Sequence, residues 1–282
     1  MLGREDIIRR KKMWEDVETA IHAFFRLRGY EHFRTPLMVA SPGMEPNLDP
    51  FVTELRTYRP GMTKKEVGLI TSPEYSLKKI MGEGFEKVYS VTPVWRNDEA
   101  LYPKNTPEFT MLEWYRLGGD YRDCMQDTEE LVNGIMGWTG AWPRIKYQDA
   151  SVDEHGDPAI ASKIDRFFLI DYPPAQAALS KMSADGTYAE RFEAYVGGLE
   201  LCNAFTELTD SAEQRRRFEI EAEERRALGK HVFPIDEQLL TSLGKIKGQM
   251  YGNALGVDRL VMLKNGITDI NDIQLFPASE NL

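Results

Sequence analysis

Cysteine is almost absent. The two that occur, Cys124 and Cys202, stand far apart and lack the paired spacing of a metal knuckle. That excludes a disulfide framework and a thiolate zinc site, and it fits a reducing cytoplasm. Long apolar runs are missing as well. None approaches the roughly 18 residues of a membrane span, and no apolar stretch near the N-terminus reads as a secretory leader. Positive charge is in deficit: 35 Lys and Arg against 45 Asp and Glu leave a formal net charge of −10. Such a balance argues against a surface that wraps nucleic acid. No internal repeat, low-complexity tract or linker interrupts the chain. With 42% hydrophobic residues among 282, an ordinary cytoplasmic globular protein with an ample core is expected.

What is present concentrates between Val91 and Gly118. Val88–Trp95 is rich in β-branched and aromatic residues and predicts a strand. Asn97–Pro107 carries acids, a lysine and prolines, a composition that breaks the strand and predicts a charged loop. Phe109–Leu117 predicts the return strand. Its period of two puts Phe109, Met111, Glu113 and Tyr115 on one face, and Thr110, Leu112, Trp114 and Arg116 on the other. With Arg96 at the exit of the first strand, an arginine, a carboxylate and two aromatic rings share one pocket. That set suits a nucleotide and a charged amine.

Around this hairpin, Trp14, Val17, Ile21 and Phe24 predict a helix over 5–28 that stops at Gly29. Tyr30–Pro36 predicts a short strand, 41–66 a loop, and 68–71 a strand entering a helix capped by Thr71 or Ser72 and reaching about Met81. A helix is expected over 120–138, no regular structure over 139–165 and a strand over 167–172. Residues 211–228, dense in arginine and glutamate, predict a solvated helix laced with i,i+4 pairs.

A second hairpin is expected over 188–208, turning at Gly197 and Gly198. That turn pairs Tyr195 with Glu200 and sets Glu193 diagonal to Glu200 on the same face. Carboxylates so close repel unless a cation lies between them, so Mg²⁺ on a phosphate is one reading. Acids scattered on a solvated face are the other. Asn203, Phe205 and Glu207 fall on a changed parity, which requires a bulge or bend near Ala204 if all enter one pocket. Gly256–Arg259 places an arginine in the first turn of a helix, where backbone N–H groups and the guanidinium suit phosphate. A surface turn is the plain alternative.

Three of these stretches, in order along nearly the whole chain, resemble the signature motifs of class II aminoacyl-tRNA synthetases. Arg34–Pro36 resembles the end of motif 1, Arg96–Asp98 with Pro107–Tyr115 motif 2, and Gly252–Arg259 motif 3. Thr71–Glu74 and Glu200–Glu207 are similar to the lysine branch, and within it to the paralogues that modify translation elongation factor P. The resemblance implies an α+β fold, the class II catalytic core with an antiparallel β-sheet flanked by helices. It implies a single catalytic domain over 1–282 without an anticodon-binding domain, and a homodimer built by motif 1. The implied activity is ATP-dependent activation of lysine or (R)-β-lysine, with Mg²⁺, and transfer to a lysine side chain of elongation factor P.

By the same resemblance Arg96 and Arg259 are catalytic, Arg96 on the α-phosphate and Arg259 on the γ-phosphate of a bent ATP. Phe109 stacks on adenine against the Arg259 guanidinium. Asp98, Glu99, Asn105, Thr106, Glu200, Leu201 and Gly256 complete the ATP set, and Glu193 and Glu200 hold Mg²⁺. Ser72, Glu74, Tyr115, Asn203 and Glu207 receive the lysine-type substrate. The motif 2 loop departs from the family pattern by one extra residue and a missing histidine. Either Asp98 or Glu99 therefore fills the acid's place, and Asn105 or Thr106 the asparagine's. The segment 139–170 is also shorter than in the family. Ala254, where tRNA-charging relatives tend to carry glycine, and the acidic balance argue against tRNA. A tRNA-charging enzyme lacking its anticodon domain and a non-catalytic paralogue that senses lysine or binds a translation factor are the alternatives.

Overall fold

The computed structural model describes residues 2–56, 64–98, 103–152 and 158–281. Helix α1 (Arg4–Leu27) ends before Gly29, whose φ of 75° costs glycine nothing. Its buried stripe is Val17, Ile21 and Phe25. The expected stripe through Phe24 is thus one residue off, because Phe25 is the ring that stacks on Tyr89, at 4.7 Å.

Strands β1 (Glu31–His32), β2 (Met38–Val39), β3 (Val52–Leu55) and β4 (Lys65–Leu69) come next, followed by α2 (Glu74–Gly82). Two expectations fail in this region. Tyr30–Pro36 yields only the two residues of β1, and the supposed loop 41–66 supplies β3 and the start of β4. These strands form a small sheet of order β2-β4-β3. β3 is exposed along its length, so no alternation of apolar and polar residues announces it; pairing with β4 makes it a strand.

The main sheet is built from β5 (Lys87–Trp95), β6 (Glu108–Leu117), β7 (Arg144–Lys146), β8 (Arg166–Tyr172), β9 (Ala189–Val196), β10 (Leu199–Thr206) and β11 (Met250–Gly256), with β1 at one edge. Its order is β1-β5-β6-β11-β10-β9-β8-β7, antiparallel throughout except for the parallel edge pairs β1–β5 and β7–β8. β7 lies inside the span expected to be irregular. Three residues at an edge, two of them exposed, carry too little pattern to be read. The remaining α-helices among the described residues are α3 (Tyr121–Met136), α4 (Ser211–Ala227), α5 (Glu237–Leu243), α6 (Val257–Asn265) and α7 (Ala278–Asn281). Asp120 caps α3, accepting from the backbone N–H groups of Arg122 and Asp123.

Helices α1, α3 and α6 cover one face of this sheet. Leu112 and Trp114 of β6 and Phe192 and Ala194 of β9 point into that layer, against Val17, Phe25, Leu131 and Leu260. Fully burying each large apolar side chain contributes on the order of 2 kcal/mol. A one-residue slip of β6 would turn Leu112 and Trp114 out of the core, so this layer fixes which residues face the other way. On that other side, Leu77 and Met81 of α2 pack with Val88, Tyr115 and Met250, leaving a cavity beside them.

Helix α4 is more than a solvated face. Arg216 pairs with Glu213 on its surface, but Arg217, which also pairs with Glu213, is largely buried and donates to the Ala178 and Ser180 carbonyls, and Phe218, Ala222 and Arg225 are buried. The Arg225 guanidinium donates to the carbonyls of Glu45 (2.8 Å), Leu48 (2.6 Å) and His231 (2.7 Å) and pairs with Asp49 at 3.0 Å. It thereby ties the 45–49 loop to the rim of the cavity. Among the described residues no helix is long and apolar enough to cross a membrane.

Candidate active site

The cavity encloses about 810 Å³, toward the upper end for small-molecule sites and enough for a nucleotide beside a second substrate. The β5–β6 hairpin sends Arg96 and Phe109 to its wall, β9 and β10 send Glu193 and Glu200, and α6 sends Arg259. Ser72 and Glu74 enter at the start of α2.

At the arginine end, Arg259 Nη2 donates to Asn105 Oδ1 at 2.8 Å while Nη1 donates to the carbonyl oxygen of Glu200. Nη1 also lies 3.9 Å from the Glu200 carboxylate. One guanidinium therefore joins the hairpin loop, β10 and α6. Arg96 sits over the Phe109 ring, 5.3 Å from its centroid, while Arg259 is held by Asn105 and Glu200. Gly256 stands at the N-cap of α6. Asp258 accepts from the Thr110 N–H at 2.6 Å, pinning that helix to β6, and burial pushes its carboxyl up to about 7. Leu201 and Thr106 line the cavity, Thr106 with its hydroxyl buried and unpartnered. Asp98 is exposed, is not part of the cavity wall and has a φ of 56°. Glu99 lies outside the described residues.

The β9–β10 hairpin pairs Tyr195 with Glu200 and Glu193 with Asn203. Its bulge falls between Glu200 and Cys202, three residues before the expected place near Ala204. One extra residue there, Leu201, resets the alternation and brings Glu200, Asn203 and Phe205 to the cavity beside Glu193 and Tyr195. Arg191 grips two of them, with Nη2 2.7 Å from Glu193 Oε1 and Nε 3.1 Å from Asn203 Oδ1. Tyr195 donates to the other Glu193 oxygen at 2.9 Å. Desolvation inside the cavity and then the charge of Glu193 push Glu200 up to about 7, against the pull of Arg259 and Arg96. A carboxylate raised by an acidic neighbour is one that a hard cation would relieve, and the two glutamates supply the oxygen ligands such an ion prefers. Among the described residues no group of three Asp, Glu, His or Cys side chains gathers to hold a metal alone. An ion here would complete its shell with phosphate or water.

At the other end Ser72 Oγ accepts from the Glu74 N–H at 2.9 Å and donates to Glu113 at 2.6 Å. The helix begins one residue later than expected, with Pro73 at the N-cap, and the Ser72 hydroxyl still serves its first turn. Tyr115 donates to Glu113 at 2.5 Å. Burial and the nearby Glu74 push Glu113 up to about 8. Tyr115 and Glu207 lie behind the cavity wall, fully buried, rather than on it. Glu207 meets the Lys78 ammonium at 2.6 Å, and the same ammonium bonds Glu74.

Several residues of this site carried no role in the sequence reading. Arg191 shares the parity of Glu193 two positions away, and Lys78 stands one turn after Glu74; both signals were available. Glu45 and Glu221 come from segments without motifs, and only the fold brings them to the cavity. Burial and then Glu45 push Glu221 up to about 8.

Compared with known proteins, residues 2–280 match the family described as tRNA synthetases class II (D, K and N). This chain belongs to the class II tRNA synthetase family. The chain is similar to the elongation factor P–(R)-β-lysine ligase of Proteus mirabilis, 33% identical over an alignment 301 positions long that covers 92% of this chain and 91% of the relative. It is 35% identical to the ligase of that name from Photorhabdus laumondii, covering 92% of each. The Vibrio atlanticus ligase is 32% identical, covering 96% of each. The sequence-based expectation of an α+β class II core agrees with both the family match and the sheet. Membership makes the chain an aminoacyl ligase that uses ATP.

Proposed function

We propose that this protein activates lysine or (R)-β-lysine with ATP and transfers the aminoacyl group to a lysine side chain of translation elongation factor P. In the first step a carboxylate oxygen of the amino acid attacks the α-phosphorus and the bond to pyrophosphate breaks, leaving an aminoacyl-adenylate. In the second the acceptor amine attacks the adenylate carbonyl, gives up a proton and expels AMP. Neither step needs a protein nucleophile, so alignment and charge stabilisation carry the catalysis.

Arg96 would meet the α-phosphate and Arg259 the γ-phosphate, with Phe109 against the adenine. Asn105, Thr106, Leu201 and Gly256 would complete the nucleotide subsite. Glu193 and Glu200 would hold Mg²⁺, which supplies positive charge to the phosphate oxygens. Ser72, Glu74 and Asn203 on the wall, with Tyr115 and Glu207 behind it, would orient the amino acid. The observation that carries the reading is the convergence of Arg96, Arg259 and the Glu193–Glu200 pair on one cavity whose far end is crowded with glutamates. Such an end favours a substrate with ammonium groups.

A homodimer in the cytoplasm is part of the proposal. Ile7, Ile8 and Leu27 on α1, and Leu37 and Met38 at β2, are exposed apolar side chains of the kind a partner subunit covers. The decisive experiment is amino-acid-dependent pyrophosphate exchange with lysine and both β-lysine enantiomers, followed by intact mass of elongation factor P. Exchange with one of them and a single aminoacyl addition are expected. Absence of exchange would overturn the proposal, and label appearing on tRNA instead would transfer it to the charging reaction.

A further inference from the structure

Lys78 of α2 lies behind the cavity wall beside Tyr115 and Glu207, with 2% of its side chain exposed. Its ammonium bonds Glu74, lies 2.6 Å from Glu207 Oε2 and sits 5.8 Å from the centroid of the Tyr115 ring. Burial disfavours an ammonium, yet Glu207 and Glu74 outweigh it and hold Lys78 above its ordinary value. The charged or titratable groups facing it are Glu74 from its own helix, Glu113 and Tyr115 from β6, and Glu207 just past the end of β10.

Glu207 and Glu113 are both buried glutamates of this cluster, and they differ in what opposes burial. For Glu207 it is the Lys78 ammonium in direct contact, and the carboxyl is pushed up only to about 7. For Glu113 it is first the hydroxyls of Ser72 and Tyr115, with Lys78 the least of its influences, and the carboxyl reaches about 8. The one ammonium in contact with these glutamates therefore touches Glu74 and Glu207 and not Glu113. Since Glu45, Glu74, Glu113, Glu207 and Glu221 outnumber it, acidic capacity remains for ammonium groups brought by a substrate.

We propose that Lys78 is a specificity-determining positioning residue of the amino-acid subsite. Its ammonium aims Glu74 and Glu207 and keeps charge on their side of the pocket, so that the site prefers an acid bearing two ammonium groups. This rests on the ligase reading above.

The test compares wild type, Lys78→Met and Lys78→Arg in pyrophosphate exchange with lysine and with norleucine, which lacks the second amine. Lys78→Met should raise the KM for lysine roughly tenfold while the KM for ATP stays within about twofold. Without its cation Glu207 titrates higher, so the acidic limb of kcat/KM should move up by about one pH unit. The preference for lysine over norleucine should shrink. Lys78→Arg, which keeps the charge, should restore much of all three. Should Lys78→Met fail to fold, Lys78→Met/Glu207→Gln removes the cation and its partner together; it should fold and still bind lysine weakly. A folded variant without Lys78 that keeps the wild-type KM for lysine, pH profile and selectivity would overturn the proposal alone, as would equal losses for lysine and ATP. Wild-type protein without any exchange would overturn the ligase reading and this role with it.

Discussion

Replacing Gly252 by alanine would insert a methyl group where β11 presses against the amine end of the cavity. An added Cβ would lie 2.7 Å from Tyr115 Cδ1 and closer still to Tyr115 Cε1 and Glu207 Oε1. Carbon atoms in contact prefer about 3.5–4.0 Å, so a neighbour must move by about an ångström. Neither can swing into solvent: Tyr115 is 2% and Glu207 3% exposed. The backbone cannot retreat either, since Gly252 is paired with Phe205 on one side and Tyr115 on the other. Overpacking of this kind costs about 1–3 kcal/mol. In a chain of this size each kcal/mol lowers Tm by about 2–4 °C, so a fall of about 2–12 °C is expected. None of the three closest atoms belongs to the arginine end, so the functional defect should be selective. A misplacement of that size costs on the order of 10²-fold in kcat/KM for the amino acid, while ATP binding stays near wild type. Thermal melting with and without ATP, alongside pyrophosphate exchange at varied lysine and varied ATP, reads both effects. Wild-type Tm with an unchanged KM for lysine would refute the packing argument.

Asp258 makes a pH prediction. Its folded-state value of about 7 lies above the ordinary 3.8, so its contribution to stability is full below about pH 4 and lost as pH rises to 7. Asp258→Asn, whose amide oxygen can still accept from Thr110, should flatten that slope and melt higher than wild type at pH 8. At about 1.4 kcal/mol per unit the gain is bounded by about 4 kcal/mol, and parallel Tm–pH curves would contradict it. Arg225→Met should strip partners from the Glu45, Leu48 and His231 carbonyls and leave Asp49 without that cation. Breaking a buried pair costs about 3–5 kcal/mol, a fall in Tm of about 6–20 °C; calorimetry showing less than about 2 °C would mean that the loop is held otherwise.

Much of the architecture follows from local pattern. The period of two from Phe109 to Arg116 divided most of β6 between two faces, since alternation along a strand is a property of the backbone itself. Gly197 and Gly198, at φ 57° and 76°, marked the β9–β10 turn because such dihedrals favour glycine. The order of the motifs led to the class II family. Local pattern had nothing to say about β3 and β7, whose strand character comes from their neighbours.

Tertiary structure alone decided how charges are shared. A guanidinium goes to whichever acceptors the fold places nearest, so Arg259 turned to Asn105 and Glu200, and Arg96 took the Phe109 ring. The bulge at Leu201 could be inferred from parity but not located, because any of several residues could absorb the extra step. Glu45, Glu113, Glu207 and Glu221, separated along the chain by up to 176 residues, are all pushed up by burial and by the charge of Glu74, because the folded sheet and helices bring them together and exclude water from the space between them.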